Sequence, residues 1–340
     1  MNKRKDEDNN IGSDTVPVQA LVLSMQQIKS LISYKEALDV VEDVFKEYGK
    51  GQIVNPDKTP MYTDSPDNKN YLIGMPGFIK KLQVGGIKWL SAYFNQQPGI
   101  PAVWGSIVIL NHAENGQPFT IMDGTIITEV RTAAHSAVAA KYLAKHNSEV
   151  VAMVGCGVEA RSHLAALYEI FPIKLVKTYD VRPEAMATYK SEMEAMYEVR
   201  VIPTKSVKEA VKEVDIVCAV TTAQEPVIFE SWIPTGCFVA GLTGFADVDP
   251  RLSESVDKWV LGHRQSDEHL GKIFFGDVAD YSKVYADMGE IVTGAKPGRE
   301  GLEERIFYLH LGMGVHDIAL AHHIYNKALK QGIGIKIKLI

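Results

Sequence analysis

The chain has 340 residues, of which 46% are hydrophobic and 23% charged, and its net charge is -6 at pH 7. This length suffices for two domains, each with its own core, and the acidic balance excludes a nucleic-acid partner, because binding to phosphates requires clustered Lys and Arg. The apolar runs fall well short of the ~20 residues that cross a membrane. We therefore expect a globular protein with a small-molecule ligand and no membrane partner.

The three cysteines, Cys156, Cys218 and Cys237, are too few and too scattered for a disulfide framework, and they lack the paired spacing of a zinc site. We expect reduced, buried thiols in a cytoplasmic protein without a metal site. The N-terminal segment "MNKRKDEDNNIGSD" is polar and lacks the apolar centre of a signal peptide, which predicts a disordered lead-in over residues 1–20.

The first part of the chain predicts an α+β domain. Apolar residues at helical spacing from Ser24 to Lys50 predict one helical opening. Residues 52 to 120 form short β-rich runs separated by Gly, Pro and Asn, which predict an antiparallel sheet, and the Asn115-Gly116 pair is typical of a hairpin turn. An alanine-rich helix follows from Thr128 to Lys145, with Thr128 as a plausible cap.

After this helix, strand-like and helix-like segments alternate, which predicts a Rossmann-type doubly wound parallel sheet. The fold class is therefore α/β, with an N-terminal α+β domain that is expected to bind the substrate. We assign residues 21–130 to that domain and residues 131–311 to a nucleotide-binding domain. Residues 312–340 contain a last helix that is expected to return to the first domain.

The segment "VVAMVGCGVEARSHLAAL" holds the clearest motif. Gly155, Gly157 and Ala160 form G-x-G-x-x-A between a predicted strand and a predicted helix, as in dinucleotide-binding turns. Asp180 ends the next strand, where an acidic residue binds the adenosine ribose. A purely structural turn is the alternative, but the second half of the fingerprint favours a cofactor site. The neighbouring candidate cofactor contacts are Val158, Glu159 and Val181.

Asp180 favours NAD, because its carboxylate repels the 2′-phosphate of NADP. Arg182 leaves NADP possible, since it either accepts a 2′-phosphate or starts the next helix as a solvated side chain. Thr221 and Thr222 follow another strand, where ligands bind in this architecture, or they only cap a turn.

Three cations are candidates for substrate binding. Lys88 lies within an apolar β-run, where a lysine needs a partner or a task; protection of a sheet edge is the alternative. Arg131 lies among small apolar residues and suits a carboxylate, or it pairs with Glu129. Lys58 is a weaker candidate for the same carboxylate and is otherwise a solvated loop residue.

These residues lie in segments that resemble the ornithine cyclodeaminase/μ-crystallin family, above all "MDGTIITEVRTAAHSAVAAKYLA" together with the glycine turn and "GMGVHDIALAHHIYNKALKQGIG". The resemblance implies NAD(H) or NADP(H) as cofactor and an N-terminal sheet that forms a homodimer. It matches Lys88 to the family's catalytic lysine and Arg131 to its substrate-carboxylate arginine. Lys58 falls where many members have a second arginine.

The segment "AGLTGFADVDP" departs from the family. Cyclodeaminases and the related alanine dehydrogenases usually place an aspartate in a G-x-D-x-P-G-K loop here, whereas this chain has Thr243, which we count with Lys88 and Arg131 as a candidate catalytic residue. A hydroxyl is not an effective base at neutral pH, so Thr243 favours the reductase-like branches. Asp247 and Asp249 are nearby, and Asp249 is read as the start of "DPRLSES".

The sequence thus predicts an NAD(P)-dependent oxidoreductase that interconverts an α-amino acid and its imine, acting as a dehydrogenase or an imino-acid reductase. Ornithine cyclodeaminase and a non-catalytic binding protein of the μ-crystallin kind are the alternatives. His316 and Asp317 either line the cofactor pocket, for which His316 is the candidate, or cap the last helix.

Overall fold

The structure is a computed structural model that describes residues 18–58, 60–63, 70–93, 104–242 and 244–339. Its strands are β1 (Gln19–Leu23), β2 (Ile53–Val54), β3 (Pro60–Tyr62), β4 (Tyr71–Ile79), β5 (Val84–Ala92), β6 (Trp104–His112), β7 (Pro118–Asp123), β8 (Val150–Val154), β9 (Leu175–Tyr179), β10 (Arg200–Pro203), β11 (Ile216–Ala219), β12 (Phe238–Gly241), β13 (Lys258–Leu261), β14 (Ala286–Asp287), β15 (Ile306–Leu309) and β16 (Ile335–Lys338). Its helices are α1 (Met25–Leu31), α2 (Tyr34–Gly49), α3 (Thr125–Leu143), α4 (Val158–Tyr168), α5 (Pro183–Met196), α6 (Val207–Ala210), α7 (Leu252–Ser255), α8 (Arg264–Phe275), α9 (Met288–Val292) and α10 (Gly314–Gln331).

Within the described ranges the strands form two eight-stranded sheets. The parallel sheet has the order β10-β9-β8-β11-β12-β15-β13-β14, which confirms the predicted doubly wound architecture. The mixed sheet has the order β16-β1-β7-β6-β5-β4-β2, with β3 also paired to β4. Since parallel strands end at one edge, the loops that follow β8, β9, β11 and β15 meet there, where α/β folds bind ligands.

The predicted antiparallel sheet over residues 52–120 is confirmed, and strands from outside that range extend it. β2 to β7 are antiparallel, and the Asn115-Gly116 turn between β6 and β7 is confirmed, with a φ of +73° at Gly116. However, β1 pairs in parallel with β7 and antiparallel with β16. Because β1 begins at Gln19, the predicted lead-in ends too late; residues 1–17 lie outside the described residues.

The helical opening predicted over residues 24–50 consists of two helices. Ser24 and Ser33 each begin a helix with a capping box, in which the serine hydroxyl and the side chain three residues later bond each other's backbone N–H. Ser33 therefore restarts the chain after α1. The predicted cap at Thr128 is also wrong, because α3 begins after Gly124 and Thr128 lies inside it.

Two helices connect the sheets. Helix α3 has a nearly continuous buried surface of small residues, including Ala133, Ala137 and Ala140, and it packs against α2, α4 and α10. Small side chains permit this close approach from several sides. Helix α10 leaves the parallel sheet after β15 and packs against β4 and β5 of the mixed sheet, which confirms the predicted return of the last helix.

Two further predictions concern the cysteines and a membrane span. Cys156, Cys218 and Cys237 are buried and free of disulfides, as expected. Among the helices of the described residues, none is sufficiently long and apolar to cross a membrane.

Candidate active site

The glycine turn has the geometry of a phosphate cradle. Gly155 adopts a φ of +98°, and a Cβ there would lie 2.7 Å from the Val220 carbonyl oxygen. Gly157 is the N-cap of α4, with no side chain bonded to the cap, so the first N–H groups of α4 remain available. A Cβ at Gly157 would have no described atom within 4 Å. These residues therefore fit a dinucleotide, whose pyrophosphate would lie on this open side of the helix.

Asp180 lies beside the glycine turn, at the end of β9. Its carboxylate accepts hydrogen bonds from the Cys156 N–H at 2.9 Å and from the Arg182 N–H at 2.9 Å and Nε at 3.2 Å. Burial alone would raise the pKa of Asp180, but the Arg182 and Cys156 donors hold it below its usual value. Val158 and Val181 flank the turn with side chains that are largely exposed. The site thus has an ionised acid and exposed apolar surface, as an adenosine ribose and base require.

The threonines after β11 form a turn. The Thr221 hydroxyl donates to Asp247 Oδ2 at 2.9 Å and accepts from the Ala223 N–H at 3.1 Å, whereas Thr222 is exposed. Asp247 is fully buried in this contact. Asp249 accepts bonds from Arg251, in agreement with a role in starting the "DPRLSES" segment. Thr243 lies outside the described residues, so its role stays a prediction.

A buried cluster of charges faces this edge of the parallel sheet. Lys88 of β5 and Arg131 of α3 both contact Asp317 of α10: Lys88 Nζ lies 2.8 Å and Arg131 Nε 3.0 Å from the same oxygen, Oδ1. Lys88 and Asp317 are fully buried, and Arg131 is 5% exposed. Lys88 also donates to the Thr128 hydroxyl at 3.2 Å. The structure therefore brings together the two main candidate catalytic residues and excludes solvation of Lys88 at a sheet edge.

Arg131 is held on one side of its guanidinium. Among the described residues, neither terminal nitrogen has a hydrogen-bonding partner. The guanidinium lies against the backbone after β15, where Gly312 has a φ of +81° and a Cβ would approach Arg131 Nη1 to 2.7 Å. The alternative pairing with Glu129 is not seen; Glu129 accepts from the Ser162 hydroxyl at 2.6 Å. The planar fork of Arg131 is thus available for a carboxylate.

Lys58 joins the cluster but is not a solvated loop residue. Its Nζ donates to the carbonyl oxygens of Leu311 and Gly312, the latter at 2.8 Å, and only 7% of the residue is exposed. Burial first, and then the charge of Arg131, lower the pKa of Lys58 to about 7. Lys58 therefore ties the β2–β3 loop to the β15–α10 connection, and its predicted contact with substrate would use its remaining proton.

The charges of the cluster shift the pKa values of its members. Burial, followed by repulsion from Arg131, lowers the pKa of Lys88 to about 8, although Asp317 opposes the change. Burial would raise the pKa of Asp317, but Arg131 and Lys88 hold it below its usual value. Lys88 can therefore gain and lose a proton near neutral pH, as proton transfer requires.

Glu159, in the first turn of α4, connects the two halves of the site. Its Oε2 is buried and has no hydrogen-bonding partner in the part of the chain that the structure describes, while about a third of the side chain (34%) is exposed. Withdrawal of Oε2 from water raises the pKa of Glu159 to about 8, against the effect of Arg131. Glu159 is thus within electrostatic reach of the cation cluster.

The structure changes the interpretation of His316 and Asp317. The N-cap of α10 is Met313, with no side-chain hydrogen bond, so the predicted capping pair is wrong. His316 is fully buried against Phe45 and His135, and its proposed contact with the cofactor stays a prediction that its burial does not support. Asp317, in contrast, is the centre of the cluster. The signal for it was an acidic residue within an otherwise apolar helical turn.

Comparisons with known proteins agree with this site. The family model of the ornithine cyclodeaminase/mu-crystallin family matches residues 18–332. An alanine dehydrogenase of Archaeoglobus fulgidus is 31% identical over 94% of this chain and 99% of its own length. The structure of Thermococcus litoralis Delta(1)-pyrroline-2-carboxylate reductase in complex with NADH and L-proline is 30% identical, with a TM-score of 0.86 over 93% of this chain and 100% of that one.

An archaeal alanine dehydrogenase dimer with bound NAD is also 30% identical, with a TM-score of 0.87 over 95% of this chain and 100% of that one. The similarity spans both sheets. The chain therefore belongs to the ornithine cyclodeaminase/mu-crystallin family.

Proposed function

We propose that this protein is an NAD(P)-dependent oxidoreductase that interconverts an α-amino acid and its imine. The observation that carries the proposal is the convergence of Lys88 and Arg131 on one carboxylate oxygen of Asp317, at the edge of the parallel sheet that also holds the glycine turn. The similarity to an alanine dehydrogenase and to a pyrroline-2-carboxylate reductase supports the same reaction class.

Arg131 would bind the α-carboxylate of the substrate. Its Nε is engaged by Asp317, and the two terminal nitrogens can form the paired hydrogen bonds that a carboxylate accepts. The cluster has three cations, Lys58, Lys88 and Arg131, around Asp317, so an anionic substrate would be favoured over a neutral one.

Lys88 would manage the proton. When bound, the nicotinamide cofactor supplies or accepts the hydride at the substrate carbon. In the reductive direction the Lys88 ammonium would give a proton to the substrate nitrogen, and in the oxidative direction the neutral amine would take it back. The burial that lowers the pKa of Lys88 to about 8 suits both directions.

The adenosine side of the cofactor would lie at Asp180. The ionised carboxylate supports NAD as the preferred cofactor, since it repels a 2′-phosphate. The Arg182 side chain is 61% exposed next to Asp180, which leaves NADP possible.

A homodimer is proposed from the open face of the mixed sheet. Trp89 and Ile107 are cross-strand neighbours on β5 and β6 and are 40% and 49% exposed, whereas Lys88 and Val108 point to the opposite, buried face. Exposed apolar side chains that are paired across two strands are typical of an interaction surface. A Trp89→Glu variant should be monomeric in size-exclusion chromatography with light scattering. The control Leu302→Glu, at an exposed apolar position outside this face, should remain dimeric. If the Trp89→Glu variant is also dimeric, the proposal is contradicted.

We retain two further proposals. The domain division, 21–130 with 312–340 and 131–311, is supported by the separation of the two sheets, although α3 packs into the core of both. A cytoplasmic location is supported by the free thiols of the described cysteines.

The test is a spectrophotometric screen at 340 nm. Purified protein is assayed with NADH or NADPH against cyclic imino acids, and against 2-oxo acids with ammonia or amines. Oxidation of the cofactor that depends on an imine is expected and would identify substrate and cofactor. L-ornithine with NAD is the control for cyclodeamination: ammonia release with a flat trace at 340 nm would replace the proposal. Absence of turnover, with NADH bound, would favour a binding protein.

A further inference from the structure

Asp317 links three parts of the fold through one carboxylate. It lies in the first turn of α10, Lys88 lies on β5 of the mixed sheet, and Arg131 lies on α3 between the two sheets. Oδ1 accepts from Lys88 Nζ at 2.8 Å and from Arg131 Nε at 3.0 Å. These contacts fix the position of one cation relative to the other.

Asp317 does not have the contacts of a residue that only stabilises α10. It is not the N-cap, and its Oδ2 is buried without a hydrogen-bonding partner among the residues described here. A buried oxygen without a donor is unfavourable for folding. The carboxylate is therefore arranged for the two cations and not for the backbone of its helix.

The two cations keep the donors that a substrate needs. Lys88 uses one proton for Asp317 and one for Thr128, so that a third remains. Arg131 uses Nε, so that its fork remains. A single oxygen thus orients both groups while leaving free one proton donor and one carboxylate-binding edge.

We propose that Asp317 is the positioning residue of this active site, which holds the Lys88 ammonium and the Arg131 guanidinium so that both act on one substrate. The proposal rests on the proposed function and adds to it a residue 229 positions from Lys88 in the chain. Asp317 also supplies the negative charge that favours the protonated form of Lys88. Without it, two buried cations would repel each other.

Other charged and titratable groups act on the same cluster. They are Lys58 in the β2–β3 loop, His135 on α3, Glu159 on α4, Asp267 on α8, His310 after β15 and His316 on α10. Within the described structure none of these groups bonds both cations, whereas Asp317 lies within hydrogen-bonding distance of both. The isosteric variant Asp317→Asn therefore removes the nearest charge and keeps the shape.

The experiment measures kcat/KM for imine reduction from pH 6 to pH 10 in the wild type and in Asp317→Asn. Loss of an opposite charge at this distance shifts a pKa by about one to three units. The alkaline limb of the pH profile, where kcat/KM falls because Lys88 loses its proton, should therefore move to lower pH by that amount. The Kd for NADH should change less than twofold. Asp249→Asn is the matched control: Asp249 is 5% exposed and accepts from the Arg251 N–H and guanidinium, but it contacts neither Lys88 nor Arg131, so the alkaline limb of its pH profile should stay in place.

If kcat/KM of Asp317→Asn falls equally at every pH and the alkaline limb does not move, the proposal is overturned and Asp317 has only a structural role. If Asp317→Asn does not fold, Asp317→Glu keeps the charge and displaces it: the limb should stay and kcat should fall, and an unchanged kcat would contradict positioning.

Melting temperatures separate this proposal from the proposed function. If Lys88 faces Asp317 as the structure shows, Lys88→Met should restore part of the melting temperature lost in Asp317→Asn, with or without enzyme activity. Strictly additive losses would refute the contact. A wild type without turnover would refute the proposed function while leaving this result to decide on the contact.

Discussion

Two substitutions in the glycine turn should separate folding from cofactor binding. In Gly155→Ala, the new Cβ would lie 2.7 Å from the Val220 carbonyl oxygen at a φ of +98°, which L residues avoid. The left-handed conformation alone costs roughly 1–2 kcal/mol, and the close contact forces a shift of backbone. We expect this variant to lose at least 2 kcal/mol or so of unfolding free energy.

Gly157→Ala should leave the fold nearly intact. Gly157 has an extended backbone, with φ -81° and ψ -161°, that alanine adopts freely, and its Cβ would meet no described atom within 4 Å. The remaining cost is the weaker N-cap, about 0.5–1 kcal/mol, or a fall of roughly 1–3 °C in Tm. The methyl group would, however, occupy the side on which the pyrophosphate approaches. A Kd for NADH raised at least tenfold corresponds to about 1.4 kcal/mol.

The assays are urea unfolding without cofactor and a fluorescence titration with NADH, on both variants and the wild type. The reasoning would be refuted if Gly157→Ala bound NADH as tightly as the wild type. It would also be refuted if Gly157→Ala lost as much stability as Gly155→Ala, because the open space at Gly157 would then not exist.

Three further predictions concern the substrate, the cofactor and pH. Arg131→Lys keeps the charge but loses the fork, so kcat/KM should fall about 100-fold with an unchanged Kd for NADH; an unchanged KM would contradict carboxylate binding. Asp180→Ser should weaken NADH and improve NADPH in parallel titrations, because repulsion of the 2′-phosphate is removed; an unaltered ratio would contradict the assignment. Burial lowers the pKa of His163 to about 4, below its unfolded value near 6.5, so its contribution to stability is complete above pH 6.5 and is lost as the pH falls toward 4. In the wild type the free energy of unfolding should fall between pH 7.5 and pH 5, and in His163→Asn this fall should be smaller by about 2 kcal/mol. The control His269→Asn, at an exposed position, should show the same fall as the wild type.

Short-range patterns in the sequence were sufficient for the parallel sheet and for the cofactor turn. A strand that ends just before Gly155, a helix that starts after Gly157 and an acid just after the next strand define a local geometry. Glycine conformation, helix termini and strand alternation are local properties, so one stretch of chain determines them. The importance of Lys88 and Arg131 was also visible, because a charge among apolar neighbours needs a partner.

The partner itself was decided by tertiary structure. Asp317 lies 229 residues from Lys88 and 186 from Arg131, and it was predicted to be either a cofactor contact or part of a helix cap. The same holds for β1, whose pairing with β7 and β16 joins distant segments, and for Lys58, whose contacts lie more than 250 residues away. Local sequence determines that a helix or a turn forms. Which buried charges meet depends on how α3 and α10 pack between the sheets, because only the folded chain removes water from the whole cluster and places Lys88 and Arg131 against the same carboxylate.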